Sequence, residues 1–202
     1  ACENASIRQV AMMTSGVAFN EDYIDRFSDI NMMGYELGLG GSLDRFSARI
    51  TDTAGAPGEY WRYVSIDTHV LGMALRGATG KTVGAYMAKK LWSKIGVEAD
   101  AYYNTDGEGA AFVLGGLNMR TRDYARFGRL FLNDGMWEGE QIISKGWVRE
   151  STSDLAPPPA QMDLLLDGAA DIAILFHGYT PGRFVGTKLV EIPGYEGNAE
   201  AA

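Results

Sequence analysis

Two histidines, His69 and His177, and one cysteine, Cys2, are all that 202 residues offer of those types. One cysteine rules out a disulfide within the chain and leaves the redox compartment open. Three such side chains give a zinc site nothing to build on, and neither a metal nor a cofactor is expected. Basic residues are in short supply: 18 Lys and Arg stand against 26 Asp and Glu, for a net charge of −8 and a pI of about 4.8. A nucleic-acid partner, which needs a clustered basic face, is therefore not expected. Arg120, Arg122, Arg126 and Arg129 do cluster, but Asp123 interrupts them and a solvated helix face accounts for the pattern. No apolar run approaches the ~20 residues of a membrane span. The best run, Leu164 to Phe176, is broken by Asp167 and Asp171. Nothing before Ser6 resembles a signal peptide and position 1 is Ala, so the chain reads as trimmed or cut from something longer. Cytoplasm and periplasm both stay open as locations, and the oligomeric state is not readable.

What is present is an ordinary globular composition, with 46% hydrophobic and 22% charged residues, long enough for one domain or part of one. Ser6-Ile7-Arg8-Gln9 predicts a capping box, with Gly16 as the stop of the helix that follows. Residues 17 to 42 carry loop signals. Ser42 then predicts a cap for a short helix bearing Leu43, Phe46 and Ile50. Thr82 predicts a cap for a helix facing inward through Val83, Tyr86, Met87 and Leu91. Residues 100 to 110 read as loop. Thr121 predicts the cap of a helix with Tyr124, Phe127, Gly128 and Phe131 inward, Gly128 permitting close helix approach. Gln141 to Ile143 reads as a strand or extended run, and Ser144 as the start of a last short helix through Val148. Pro157-Pro158-Pro159 is the one linker signal.

The chain is organised around residues 61 to 72. A short aromatic run ends at Tyr63, and Ile66, Val70, Met73 and Ala74 then recur at the spacing of one helix face. Ser65 is placed to cap that helix. Tyr63 stands at a strand-to-helix junction, where packing on both sides can hold a phenol oxygen in place. The plain alternative is a tyrosine filling a core edge.

Tyr63-Val64-Ser65 followed by Asp67-Thr68-His69-Val70-Leu71-Gly72 resembles the Tyr-x-Asn/Ser element of the serine β-lactamase and penicillin-recognising fold. The likeness runs on through Ala78-Thr79-Gly80, Leu91-Trp92, Gly115-Gly116-Leu117, Thr121 to Gly128 and Gly146-Trp147-Val148. With Met12 to Gly16 and Asn20-Glu21-Asp22-Tyr23, it is most similar to the 6-aminohexanoate-dimer hydrolase branch, related to class C β-lactamases and esterases. The resemblance covers about residues 4 to 151. It implies an α+β chain: a partial β-lactamase-like (transpeptidase-like) fold, mostly the helical subdomain with a few antiparallel strands. Residues 1–151 would form an incomplete hydrolase domain, and 152–202 a divergent tail, or the C-terminal hairpin of the same domain.

The same resemblance implies a serine hydrolase of small amide or ester substrates, working through an acyl-enzyme. Tyr63 would be the proton-transfer residue, and Tyr23 on its loop, Ser65 two residues after Tyr63, and His177 would be substrate-binding residues. The family's nucleophile lies in a Ser-x-x-Lys motif, and no serine or threonine here has Lys three residues on. That motif lies upstream of the matching segment in the family, so either the chain begins after it or the homologue has lost it. His177-Gly178 is the one candidate for the family's late Lys-Thr-Gly or His-Gly element, the alternative being a plain hairpin end across Tyr179 to Gly182. Gly77 to Thr82 resembles the end of a phosphate-binding loop, but its first glycine would fall at Leu75 and it sits between helices, which excludes it. The rival to a hydrolase is a non-catalytic binding module that keeps the cleft without a nucleophile.

Overall fold

The computed structural model describes residues 2–152 and the backbone of 188–192. His177, the proline run and the expected hairpin turn at 179–182 lie outside the described residues.

The elements follow in the order α1 (Ile7–Ala11), α2 (Asp29–Gly38), α3 (Leu43–Arg49), α4 (Ser65–Thr79), α5 (Val83–Lys90), β1 (Ala101–Thr105), β2 (Leu117–Asn118), α6 (Thr121–Leu132), β3 (Met136–Trp137), β4 (Glu140–Gln141), α7 (Lys145–Ser151) and β5 (Lys188–Ile192). Strands order as β2-β1-β5, antiparallel throughout, with Tyr103 opposite Leu117 on one side and Val190 on the other. β3 and β4 form a separate hairpin. Its turn residues, Glu138 and Gly139, both have positive φ, as a tight two-residue hairpin requires. Among the described residues no helix is long and apolar enough to cross a membrane.

Most of the caps read from sequence are in place. Ser6 and Gln9 form the reciprocal capping box, and Ser42, Thr82 and Ser144 each accept from the backbone N–H three residues on. Gly80 ends α4 in the left-handed region, with φ +63°. Several expectations are overturned. Residues 17 to 42 are not all loop: Ser28 caps α2, which buries Met33 and Leu37. Residues 100 to 110 include strand β1, whose alternate residues Ala101, Tyr103 and Thr105 are buried. α1 stops at Ala11, before Gly16. Met13 takes the left-handed position at φ +56°, and the amides of Met13 and Thr14 return to the carbonyls of Val10 and Gln9. Gly16 is needed for a different reason, because a Cβ there would lie 2.3 Å from the carbonyl oxygen of Gly55.

α6 is also rotated from its expected face. Arg120 occupies the N-cap, without a side-chain cap bond, and Leu130 and Asp123 are the fully buried residues, two turns apart. Among the described residues Gly128 is exposed with nothing near its missing Cβ, so it serves no close approach between them. α7 runs past Val148 to Ser151, and only Gln141 of the expected 141–143 run belongs to a strand. The arginines around α6 are paired: Arg122 and Arg126 with Glu98, Arg126 also with the buried Asp123, and Arg129 over the Trp137 ring.

Two apolar clusters form the core. One joins Val83, Trp92, Ile95, Val97, Ala101, Tyr103, Leu130 and Trp137. The other joins Val17, Phe19, Met33, Leu37, Leu43, Phe46, Val64 and Ile66. Helix α4 touches both, through Leu75 and Ile66. Its expected stripe of Ile66, Val70, Met73 and Ala74 does share one face, and with Val17, Ala48, Ile50 and Cys2 it lines a groove of about 230 Å³.

Two glycine substitutions separate close packing from open surface. Gly107→Ala would put a methyl 1.8 Å from the Gly40 carbonyl oxygen, and is expected to cost about 2 kcal/mol or more. Gly128→Ala meets nothing and is expected to stabilise α6 by about 0.5–1 kcal/mol. Urea unfolding midpoints should move in opposite directions.

Candidate functional site

Three segments converge where α4 begins. Among the described residues no strand precedes α4, contrary to expectation: Trp61 makes an isolated bridge and Val64 is extended, while the Arg62 amide donates to the Met13 carbonyl at 3.0 Å. The Arg62 guanidinium reaches the Phe19 carbonyl at 3.2 Å. These bonds bring residues 13–19, and the loop that follows them, alongside Tyr63. That loop is built around one side chain of α2: the Asn31 amide donates to the carbonyls of Tyr23 and Asp25 and to the Ser28 hydroxyl. Asp22 and Asp25 cap successive turns of the loop through the amides of Ile24 and Phe27.

Ser65 does not cap α4, contrary to expectation. Val64 holds the N-cap position and has no side-chain oxygen to offer, so Ser65 is the first helical residue. The capping oxygen comes from Glu21, a residue of the Asn20-to-Tyr23 motif. Its Oε1 accepts from the Ser65 amide in a short bond, and its Oε2 from the Ser65 hydroxyl at 3.1 Å. Tyr23 donates its phenol to the same Oε2 at 3.4 Å. No local signal could have found this cap, because 44 residues separate the partners.

The structure therefore brings Tyr23, Ser65 and Glu21 together beside Tyr63, and the fourth expected residue, His177, lies outside the described residues. Tyr63 is 37% exposed and Tyr23 66%. Desolvation of the hydroxyl beside Glu21, reinforced by the negative charge of that carboxylate and the proximity of Tyr63, pushes the Tyr23 phenol up to about 12. Burial raises the Glu21 carboxyl as well, against the pull of the Ser65 and Tyr23 donors and Arg62. The α4 groove does not include Tyr63, Tyr23 or Ser65.

Below Ser65, α4 carries two more buried ionisable groups. Asp67 is 0% exposed; its Oδ1 takes the Cys2 thiol at 3.7 Å, and its Oδ2 has no partner among the described residues. His69 is equally enclosed. Its Nε2 meets Asp44 Oδ1 at 2.9 Å, an oxygen that Arg76 also reaches at 2.6 Å, which ties α3 to α4.

The amino-acid sequence matches the Beta-lactamase family over residues 2–186, and the chain belongs to that family of hydrolases. Among individual proteins it is 31% identical over 152 residues to the 6-aminohexanoate-dimer hydrolase of Paenarthrobacter ureafaciens, covering 72% of this chain and 38% of that one. A Bacillus anthracis structure provisionally named a 6-aminohexanoate-dimer hydrolase superposes with a TM-score of 0.64 at 26% identity, over 72% of this chain and 40% of the other. A provisionally named β-lactamase from Bacteroides dorei shares the fold, with a TM-score of 0.54 at 22% identity over 76% and 45%. The family resemblance and the α+β fold with few antiparallel strands are thus borne out. The chain spans less than half the length of each of these relatives.

The buried groups of α4 predict a pH signature. Burial, opposed by the nearby Ser15 and Cys2, raises the Asp67 carboxyl to about 6. A folded value above the unfolded one gives stability that is complete below about pH 4 and is lost as the pH rises through about 6. His69, held low chiefly by burial with Asp44 opposing, acts in the other direction and loses stability as the pH falls. Asp67→Asn removes the first contribution and leaves the second. Its stability relative to the wild type should rise by about 2 kcal/mol between pH 4 and pH 7. Urea denaturation at both pH values measures the difference; an unchanged gap would mean that burial does not raise the Asp67 carboxyl above its unfolded value.

Proposed function

We propose that this chain carries the tyrosine side of a serine-hydrolase site that cleaves amide or ester bonds of small molecules through an acyl-enzyme. Tyr63 moves the proton between nucleophile, leaving group and water. Tyr23 and Ser65 contact the substrate, and His177 is the remaining candidate contact. The observation that carries the reading is the convergence of Tyr23, Ser65 and Glu21 beside Tyr63, in a chain that belongs to a hydrolase family.

A phenol with an ordinary pKa near 10 is a weak proton carrier at neutral pH, and a neighbouring cation is what brings it into range. In the family that cation is the lysine of Ser-x-x-Lys, a motif these 202 residues do not contain. The chain by itself is therefore read as inactive, since losing one member of a cooperating set removes nearly all covalent catalysis. The missing motif also favours a second reading, a binding module that keeps the cleft and performs no chemistry.

The purified chain, incubated with a chromogenic ester and with a reactive β-lactam, should show no burst and no covalent adduct on any serine by intact-mass spectrometry. An adduct would overturn the division of labour proposed here, and Ser65 would be the first place to look. Paired with the Ser-x-x-Lys segment of the P. ureafaciens relative, the chain should support ester hydrolysis that falls about 100-fold or more in Tyr63→Phe. A stable pair that never hydrolyses would favour the binding module.

A further inference from the structure

A 15-residue helix that starts behind a valine has no N-cap side chain to offer, and while the Asp67 amide turns back to the Val64 carbonyl, the Ser65 amide needs an acceptor from elsewhere. At α4 that need is met by Glu21, whose two oxygens take the Ser65 amide, the Ser65 hydroxyl and the Tyr23 phenol. One carboxylate therefore joins the loop that presents Tyr23 to the turn that follows Tyr63. The loop keeps its own shape through Asn31, Asp22 and Asp25, so it can move as a unit if its anchor is lost. A carboxylate is also the group the helix dipole favours at this end.

We infer that Glu21 is a positioning residue that latches the Tyr23 loop onto the first turn of α4 and so fixes Tyr23, Ser65 and Tyr63 relative to one another. Its meaning for catalysis rests on the proposed hydrolase reading, but the latch itself does not. Arg62 supports it from the other side: its side chain binds the Phe19 carbonyl, two residues before Glu21, and its charge faces the carboxylate. Glutamate is the length required, since a shorter side chain would have to draw the loop inward to reach the same amide.

The test uses the full chain with Glu21→Ala, Glu21→Gln and Glu21→Asp, read by amide hydrogen exchange at Ser65 and by ultraviolet titration of Tyr23, isolated by subtracting Tyr23→Phe in each background. Glu21→Ala should cut Ser65 protection about fivefold or more and bring the Tyr23 phenol down toward its ordinary range, with exchange at Leu130 unchanged. Glu21→Gln keeps an acceptor oxygen without the charge. It should hold Ser65 protection within about twofold of the wild type, yet lower the Tyr23 phenol part of the way. Glu21→Asp should release Ser65 even if the alanine variant fails to fold. Equal Ser65 protection in all variants overturns the latch. So does a loss shared with Leu130, which would mark general destabilisation. None of these readouts involves hydrolysis, so a failed hydrolase reading and a failed latch would be told apart.

Discussion

Helix α4 is the wall shared by both apolar clusters, and the placement of everything near Tyr63 depends on that. Ile66 is embedded with Phe19, Leu37 and Leu43 on one side, while Leu75 packs against the cluster of Trp92 and Leu130 on the other. A helix held at two points along its length cannot rotate without breaking one of them. Its first turn is therefore fixed in space before any polar contact is made, and the chain entering it through Val64, itself buried, is fixed too. The polar bonds of Arg62 and Glu21 then act on a rigid frame, where each can align a group instead of merely restraining it.

This division between apolar frame and polar alignment explains what was readable from the sequence. Caps supplied by a residue's own neighbourhood, at Ser6, Ser42, Thr82 and Ser144, were legible because donor and acceptor lie within one turn. Residues Ile66, Val70, Met73 and Ala74 were legible as a face because α4 is long enough to show its period. α2 was not, since glycines, asparagine and acidic residues around Ser28 read as loop, and burial of Met33 and Leu37 overrode that local preference. β1 was missed because Ala-Tyr-Tyr-Asn-Thr hides its alternation behind small and polar side chains that nonetheless face the core.

The errors at glycines and at the α4 cap share a cause. What glycine commonly does is a poor guide at Gly16 and Gly128, because whether a Cβ would collide is set by chain segments far away in sequence: Gly55 crosses Gly16, and among the described residues nothing crosses Gly128. Likewise the candidate site was legible as Tyr63, Ser65 and Tyr23 through family resemblance, while the side chain that links them was not. Glu21 is an ordinary loop glutamate until α4 is folded in front of it.

On the proposed reading the two tyrosines divide the work by their surroundings. Burial, and after it the Glu21 carboxylate, favour the neutral ring, and Tyr23, pushed up to about 12, is at neutral pH a hydrogen-bonding hydroxyl and no base. Such a group can hold a substrate carbonyl or amide without competing for the nucleophile's proton. Tyr63 sits next to this pair on a different segment, where its behaviour is decided by what charge is placed opposite it. In the family that charge is a lysine, a residue whose field favours the phenolate just as Glu21 disfavours it at Tyr23. On this reading the family lysine draws Tyr63 toward the phenolate, while burial, reinforced by Glu21, keeps Tyr23 neutral.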